Sequence, residues 1–307
     1  MSNDIEIALL EYSGSQEAAL LGLADLFEIA NQPDRPQLRV TRWRTIGEEL
    51  VPGSNTEAPI VMIIPPGKLG PVTAEVARPS VSALRQLHGS GTTLASVCVG
   101  AFILGETGLL DGRSATTHWR TAEVFRSRFP KVGLDVDRLV IDDGDIITAG
   151  GMMAWTDLGL KLVDRYLGTT AMMNTAGTLL IDPPGREQRY YSSFVPILTH
   201  GDAAILAAQH WLHAEFADNI SLSDMASKSG LEERTFLRRF RKATHMTATE
   251  YLQRFRVNKA REMLQFGADA VEAIAWAVGY SDASAFRKVF FQIVGLSPSD
   301  YRRRFRA

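Results

Sequence analysis

The sequence predicts two domains, an α/β domain at the amino terminus and an all-α domain at the carboxyl terminus. Its 307 residues exceed what one ordinary core requires. Short apolar runs alternate with helical stretches as far as about residue 170, whereas only helical patterns follow residue 200. No apolar run approaches the ~20 residues that cross a bilayer, and the first residues lack the basic start of a signal peptide. We therefore expect a cytoplasmic protein without a membrane partner.

The amino-terminal pattern begins with a strand and a helix, and the same types of segment then alternate. The strand candidates are IEIALL, LRVTRWRTI, VMIIP and TTLASV, and the helix candidates between them are QEAALLGLADLFEIA and VSALRQLH. Continuous apolar runs such as VMIIP are typical of parallel strands that are buried on both faces. A further helix, a hairpin around DDGD and a helix from about Met153 to Leu167 follow. The alternation predicts a flavodoxin-like domain over residues 1–180, with a mostly parallel sheet and helices on both faces.

Residues 181–200 separate the two patterns. The stretch IDPPGREQRYYSSFVP contains two consecutive prolines and a glycine, and it shows no sustained period. Such a composition is typical of a linker between domains. The second domain is therefore predicted over residues 201–307.

The charge of the chain also changes between the two parts. Residues 201–307 hold 16 basic and 12 acidic residues, a net charge of +4, whereas the preceding residues carry −6. The window from Lys228 to Arg261 contains ten basic residues and only three acidic ones. This concentration of positive charge indicates a surface that faces phosphate groups.

Two consecutive copies of a helix-turn-helix pattern make up most of the second domain. In the first copy, apolar stripes on two helices flank a tight turn at Gly230; they consist of Leu222, Met225 and Ala226, then Phe236, Leu237 and Phe240. The second copy repeats this order around Gly279, with Ile274, Ala275 and Val278, then Phe286, Val289 and Phe290.

Polar side chains on the second helix of each copy are the candidate DNA contacts. They are Arg234, Thr235, Arg238 and Arg241 in the first copy and Ser284, Arg287 and Lys288 in the second. Guanidinium groups bind base edges and phosphates in a major groove. The long helix YLQRFRVNKAREML lies between the copies, and such a spacer suits two successive major grooves, about 34 Å apart. A single arginine is equally well explained by a solvated helix face, but the doubled pattern favours DNA binding.

Residues 201–307 resemble the DNA-binding domain of AraC-family transcription regulators. The stretch GYSDASAFRKVFFQIVGLSPSDYR is similar to the family signature that runs through the second recognition helix. The resemblance implies base contacts at Arg234, Arg238, Ser284, Arg287 and Lys288. Leu237 is apolar near a position that the family often uses for polar contacts, so it either meets a thymine methyl group or packs inside.

In the first domain, an apolar strand ends on Cys98, the single cysteine of the chain. Gly100 lets the strand turn sharply into a helix. Such an elbow exposes the side chain at the turn, lowers a thiol pKa and offers backbone N–H donors to an oxyanion. His118 follows twenty residues later. The arrangement indicates a nucleophile and a base, and the alternative is a buried, inert cysteine at a strand end.

Residues 1 to about 170 resemble the class I glutamine amidotransferase-like, or PfpI-like, superfamily, and more closely the sensor half of its AraC-fused regulators. The resemblance rests on ASVCVGAFILGETGLLDGRSATTHWR and DDGDIITAGGMMAWTDLGLKLV. Enzymes of the superfamily combine an elbow cysteine with a histidine and an acid, and Cys98 and His118 occupy the first two places. Ala19 stands where PfpI-like proteins have a glutamate, and Arg120 stands where glutaminases have an acid. Cys98 and His118 are therefore only vestigial catalytic candidates.

We expect this region to bind a small molecule, because a base without an orienting carboxylate loses orders of magnitude in rate. Open α/β sheets bind ligands at the carboxyl ends of their strands. The expected contacts are Tyr12, Pro66, Gly67, Cys98, Val99, His118, Trp119 and Trp155. The resemblance implies an amino acid or a quaternary ammonium compound as the effector. With one cysteine, an internal disulfide and a cysteine-based zinc site are excluded, and we expect no metal and no cofactor.

The sequence thus predicts a transcription regulator that binds double-stranded DNA and responds to a small metabolite. The resemblance implies a homodimer and makes RNA polymerase a candidate partner. Three alternatives stay open. They are a cysteine-dependent PfpI-like hydrolase or hydratase fused to a DNA-binding domain, a redox sensor that oxidises Cys98, and an amino-terminal module that only dimerises.

Overall fold

The structure is a computed structural model that describes residues 4–33, 36–47, 49–53, 58–68 and 70–306. The chain divides into two compact units, Met1–Gln188 and Arg189–Ala307. No helix within the described ranges is long and apolar enough to cross a membrane.

A mostly parallel sheet forms the centre of the first unit. The strands in chain order are β1 (Ile5–Glu11), β2 (Leu38–Ile46), β3 (Glu49–Pro52), β4 (Val61–Ile64), β5 (Thr93–Val97), β6 (Ser114–Ala115), β7 (Gly133–Leu134), β8 (Val140–Asp142) and β9 (Ile146–Ala149). In the described part of the chain, seven of them form one sheet in the order β3-β2-β1-β4-β5-β9-β8, and β6 pairs with β7. The five central strands are parallel, and the edge strands β3 and β8 are antiparallel to their neighbours. The predicted fold class is confirmed.

Five of the helices in this unit pack in two groups. The helices of the unit are α1 (Glu17–Ala30), α2 (Ala74–Gly89), α3 (Ala101–Glu106), α4 (Ala122–Arg128), α5 (Trp155–Leu167) and α6 (Thr169–Leu179). Helices α1, α5 and α6 pack against one another, whereas α2 packs against α3. All four residues of β4 are buried, as expected for a strand that is covered on both faces.

The strand order places a switch point beside β1. This strand lies between β2 and β4, so the chain leaves β1 towards one side and returns on the other. Ligands bind open α/β sheets at such a point, outside the carboxyl ends of the strands. Tyr12, Pro65 and Cys98 directly follow β1, β4 and β5. The topology therefore collects the strand-end residues that the sequence singled out.

The second unit is helical in its described part. Its helices are α7 (Ala203–Ala214), α8 (Leu222–Lys228), α9 (Glu233–Thr244), α10 (Ala248–Phe266), α11 (Val271–Ala277), α12 (Ala283–Val294) and α13 (Pro298–Phe305). Five of these helices begin at a residue whose side chain accepts a hydrogen bond from a backbone N–H of the first turn, which fixes where each helix starts. The capping residues are Asp202, Ser221, Thr247, Asp282 and Ser297.

Each helix-turn-helix copy has its own hydrophobic core. Phe236 and Phe240 of α9 pack with α7, α8 and the start of α10. Phe286 and Phe290 of α12 pack with α11, α13 and the rest of α10. The nineteen-residue helix α10 therefore contributes to both cores, with Tyr251 in the first and Val257 in the second.

The segment predicted as a linker, residues 181–200, is divided between the two units. Gln188 is buried in the first unit, whereas Arg189 already belongs to the second. Prolines and missing periodicity indicate irregular backbone, but they do not reveal that such backbone packs against a domain. The structure thus places the boundary between two consecutive residues.

Candidate functional site

The carboxyl ends of β1 and β4 meet around Tyr12. The Tyr12 hydroxyl donates a hydrogen bond to the Pro65 carbonyl, at 2.9 Å. Pro66 and Gly67 follow, and a Cβ at Gly67 would lie 3.0 Å from Val99 Cγ2 and 3.2 Å from the Tyr12 hydroxyl oxygen. Glycine is therefore needed for this close approach. Tyr12, Gly67 and Val99, which were predicted as ligand contacts, lie side by side.

Cys98 occupies the predicted elbow after β5. Its φ of 57° lies in the left-handed region, and a single 3₁₀ turn, Cys98–Gly100, leads into α3. The thiol is only 2% exposed. Burial raises its pKa to about 11, although a hydrogen bond from the Val99 backbone lowers it in part. Burial, and then the charge of Cys98, raise the pKa of Tyr12 as well. The elbow is present, but its expected exposure and lowered thiol pKa are wrong, because desolvation disfavours the thiolate.

His118 lies in a loop that is bonded to the backbone of Cys98. The Thr117 hydroxyl donates to the Cys98 carbonyl, at 2.8 Å. His118 Nδ1 accepts a hydrogen bond from the backbone N–H of Arg120, at 3.1 Å. Burial, and then the Arg120 charge, lower the pKa of His118, so the imidazole is neutral at pH 7. Within the described residues, no hydrogen bond joins Cys98 to His118.

Two tryptophans predicted as ligand contacts are half-buried. The Trp119 ring centroid is 5.8 Å from that of His118, and the Arg120 guanidinium lies 5.1 Å from the Trp119 ring centroid. The face of Trp119 is therefore already used in a cation–π contact. Trp155 packs on α1, where a Cβ at Gly22 would overlap its ring. The indole N–H of Trp155 is buried without a hydrogen-bond partner in the described part of the chain.

On α9, three of the four predicted DNA-contact residues are exposed. They are Arg234, Arg238 and Arg241, and none of them forms an ion pair within the described ranges. Thr235 is half-buried, because the neighbouring face of α9 packs into the core. Leu237 is 41% exposed, so of its two alternatives it does not pack inside.

On α12, Ser284, Arg287 and Lys288 are all exposed. The Arg287 guanidinium forms an ion pair with Glu272 of α11. Lys288 forms none among the described residues. The backbone N–H of Ser284 donates to the capping side chain of Asp282, at 2.8 Å. Among the described residues, α12 therefore presents one cation without an ion pair, Lys288, and one cation in an ion pair, Arg287.

A cavity of about 380 Å³ lies at the amino-terminal end of α7. Arg239 of α9 binds Asp202 there through two hydrogen bonds, of 2.9 and 2.6 Å. Arg239 differs in this respect from its neighbour Arg238, for which the described residues provide no such partner. The cavity is lined by His200, Gly201, Asp202, Ala203, Arg239, Lys242 and Ala243.

Family models match the two units separately, and full-length relatives match across both. The sequence model of the DJ-1/PfpI family matches residues 51–165, and that of a helix-turn-helix domain matches residues 225–304. The chain is 26% identical to the HTH-type transcriptional regulator GbdR of Pseudomonas aeruginosa, over 85% of this chain and 71% of GbdR. It is 28% identical to the HTH-type transcriptional regulator GlxA of Rhizobium meliloti, over 73% of this chain and 69% of GlxA. The chain combines a DJ-1/PfpI domain with an AraC-type helix-turn-helix domain. Both relatives are HTH-type transcriptional regulators, and this similarity supports a DNA-binding transcription regulator.

A solved structure supports the fold of the DJ-1/PfpI domain. A Vibrio parahaemolyticus protein assigned to the transcriptional regulators matches with a TM-score of 0.50 and 18% sequence identity. The match covers 58% of this chain and 100% of that protein. At this level of identity the similarity concerns the fold alone.

In the DJ-1/PfpI domain, the two positions at which the sequence resemblance leads us to expect a catalytic acid hold other residues. Ala19 is buried in α1, and Arg120 is exposed. The nearby Glu17 carboxylate lies 3.7 Å from Arg42. In the described part of the domain, no carboxylate is hydrogen-bonded to His118.

Gln188, the last residue of the first unit, was not predicted as a site residue. Its side chain is buried and forms hydrogen bonds with the loop that carries His118 and Trp119. The ion pair of Arg186 with the buried Asp157, two residues after Trp155, was not predicted either. No motif marks these residues, and the only sequence signal was two polar side chains in a stretch assigned to a linker.

Proposed function

We propose that this regulator binds double-stranded DNA through α9 and α12 and binds a small-molecule effector in the DJ-1/PfpI domain. Effector binding favours one conformation of the first domain and thereby changes DNA binding by the second, as thermodynamic linkage requires. The effector site is the crevice around Tyr12, Cys98 and His118.

The unpaired arginines of α9 carry the proposal for DNA. Arg234, Arg238 and Arg241 are exposed and have no carboxylate partner in the described residues, whereas Arg239 on the same helix is held by Asp202. Free guanidinium groups on a recognition helix are suited to bidentate contacts with guanine. Helix α10 has nineteen residues and is thus about 28 Å long. That length approaches the separation of successive major grooves, about 34 Å.

The chemistry of the crevice favours binding over catalysis. The thiol of Cys98, with a pKa of about 11, is protonated at neutral pH. His118 has no orienting carboxylate among the described residues, and its Nδ1 already accepts a backbone hydrogen bond. The unpaired indole N–H of Trp155 and the neutral imidazole of His118 suit a ligand with polar groups, such as an amino acid or a quaternary amine that carries a carboxylate.

Further aspects of this proposal follow from the regulator class. The protein acts in the cytoplasm as a homodimer, and RNA polymerase is its partner at a promoter. A PfpI-like hydrolase or hydratase remains the second candidate, since the elbow at Cys98 is formed. If the wild-type protein turns over a substrate and the Cys98→Ser variant does not, this second candidate is favoured.

Selection of duplexes from a random DNA library by the full-length protein tests the DNA-binding function. We expect enrichment of a site with two half-sites about one helical turn apart. Enrichment of no sequence would sink the proposal for DNA.

A thermal-shift screen of the full chain tests the sensor. The compounds are amino acids, betaines, carnitine-like amines and polyamines, and an effector raises the melting temperature because it binds only the folded state. His118→Ala should abolish the shift. His88→Ala should keep the shift, because His88 pairs with Asp145. Asp145 directly precedes β9 and so lies at the amino end of that strand, whereas the proposed effector site lies at the carboxyl ends of the parallel strands. A shift that survives in His118→Ala would place the ligand elsewhere.

A further inference from the structure

The side chain of Gln188 is bonded to both peptide groups that flank His118. The backbone N–H of Trp119 donates to Gln188 Oε1, at 2.8 Å. Gln188 Nε2 donates to the carbonyl of Thr117, at 3.0 Å. The carboxamide thus pairs with residues 117 and 119 much as a neighbouring strand would. It fixes the backbone of His118, and in the described part of the chain it forms no hydrogen bond with the imidazole.

The carboxamide of Gln188 also forms a hydrogen bond outside the loop of His118. Gln188 Nε2 donates its second proton to the carbonyl of Val136, at 2.9 Å. Gly150, directly after β9, makes room for the amide, because a Cβ at Gly150 would overlap it. A buried amide with all its strong hydrogen bonds made cannot shift unless the loop moves with it, since each broken bond leaves a buried polar group without a partner.

The residues before Gln188 are bound to α5, the helix that begins at Trp155. Arg186 forms a forked ion pair with Asp157, which is only 2% exposed. Asp157 lies in the first turn of α5, two residues after Trp155. The segment 186–188 is therefore attached both to the helix of Trp155 and to the loop of His118.

The residues after Gln188 are held by the AraC-type domain. Arg261 of α10 is buried and donates hydrogen bonds to the carbonyls of Tyr190 and Ser192. It also donates to the Tyr301 hydroxyl, at 3.0 Å. Only Arg189 lies between Gln188, which is anchored in one unit, and Tyr190, which is anchored in the other. The chain path from Gln188 to the residues bound by Arg261 is therefore short.

We infer that Gln188 is a positioning residue that couples the loop of His118 to α10. A ligand that displaces residues 117–119 must displace Gln188, and the next residues transmit this displacement to Arg261. This inference rests on the proposed function, because it assigns the route by which the effector site and the DNA-binding helices influence each other.

Reciprocity allows a test without a known effector: if the loop influences DNA binding, then DNA must influence the loop. The probe is a duplex selected by the full-length protein, and the readout is hydrogen exchange at the Trp119 amide, which donates directly to Gln188. In the wild type, we expect saturating duplex to change this exchange rate by about 5-fold or more. In Gln188→Met, which keeps the length but not the hydrogen bonds, the duplex should leave the rate unchanged, while the Kd for DNA stays within about 3-fold.

Two further variants separate coupling from stability. The Gly150→Ala variant retains the Gln188 residue, but the added Cβ displaces its carboxamide. This variant should abolish the DNA-dependent change in exchange at the Trp119 amide, and it provides the test if Gln188→Met does not fold. Thr92→Val removes a different buried hydrogen bond of this domain, from the Thr92 hydroxyl to the Pro59 carbonyl, and should retain the change.

The outcomes distinguish this inference from the proposed function. If no duplex is selected, the DNA-binding function is wrong and the coupling falls with it. If a duplex binds but the Trp119 amide does not respond, or responds equally in Gln188→Met and Gly150→Ala, only the coupling is overturned. Loss of the response in Thr92→Val would also overturn it, since any destabilisation would then have the same effect.

Discussion

Cys98 combines a left-handed backbone, with φ of 57°, and a thiol that is only 2% exposed. Because burial raises its pKa to about 11, we expect the native thiol at pH 8 to react with Ellman's reagent about 100-fold more slowly than in unfolded protein. Stopped-flow absorbance with and without denaturant measures both rates. Equal rates would mean that the thiol is accessible, and they would return the cysteine-dependent enzyme to consideration.

Arg238 and Arg239 are neighbours in the sequence with different partners. Arg238 is exposed without an ion pair in the described residues, whereas Asp202 holds Arg239. Arg238→Ala should therefore weaken binding to a selected duplex by about 1 to 3 kcal/mol, roughly 5- to 150-fold. Arg239→Ala is the matched control and should change the Kd far less. Fluorescence anisotropy on selected and random duplexes checks this, and an equal loss on both would make Arg238 a phosphate contact.

At the scale of elements, the two helix-turn-helix turns differ in how tightly they are packed. Gly230 and Gly279 both have positive φ, of 66° and 85°. A Cβ at Gly230 would meet nothing within 4 Å, whereas one at Gly279 would lie 2.6 Å from the Ala217 carbonyl oxygen. Gly230→Ala should cost about 1 to 2 kcal/mol of unfolding free energy through its backbone alone. Gly279→Ala should cost more, and urea denaturation of both variants tests the difference. Equal losses would show that the backbone at Ala217 relaxes.

The elements that could be predicted from the sequence are those with a local cause. Both helix-turn-helix copies follow from apolar stripes of period 3.6 around a glycine, and the fully buried β4 follows from an unbroken apolar run. Helix α2 shows where this reasoning fails. The pattern predicts a helix only from residue 81, but α2 begins at Ala74 with Pro79 inside it. A proline removes one backbone donor, and tertiary packing compensates for this loss in a way that a local pattern does not contain.

The candidate site was predictable only in part, for the same reason. Strand ends and an elbow glycine indicated Tyr12, Gly67 and Cys98, because parallel strands place their carboxyl ends together. The burial of the Cys98 thiol depends on everything that packs over it. The contacts of Gln188 with the loop of His118 join residues about 70 positions apart. No periodicity or motif specifies contacts at such separations.

For the whole molecule, the distribution of charge matters more than its sum. The net charge of the chain is −2, which by itself gives no attraction to a polyanion. The residues from 201 onwards nevertheless carry +4. Within the described residues of α9 and α12, the cations without an ion pair are Arg234, Arg238, Arg241, Lys242 and Lys288. These five side chains define the part of the surface that we expect to release counterions when DNA binds.

This count of free cations predicts how strongly salt weakens DNA binding. Counting each of these five cations as one neutralised phosphate, whether or not it also reads a base, gives a steepest slope of about −4.5 for log K against log salt, so affinity should fall by at most roughly 500-fold between about 50 and about 200 mM. Lys288→Ala should make the slope shallower by about 0.9. Glu272→Gln should instead steepen it, because Glu272 pairs with Arg287 and its loss frees a sixth cation. Anisotropy titrations at several salt concentrations measure all three slopes. A wild-type slope shallower than about −2 would mean that these helices do not contact the phosphate backbone, since the unpaired cations would then bind no phosphates.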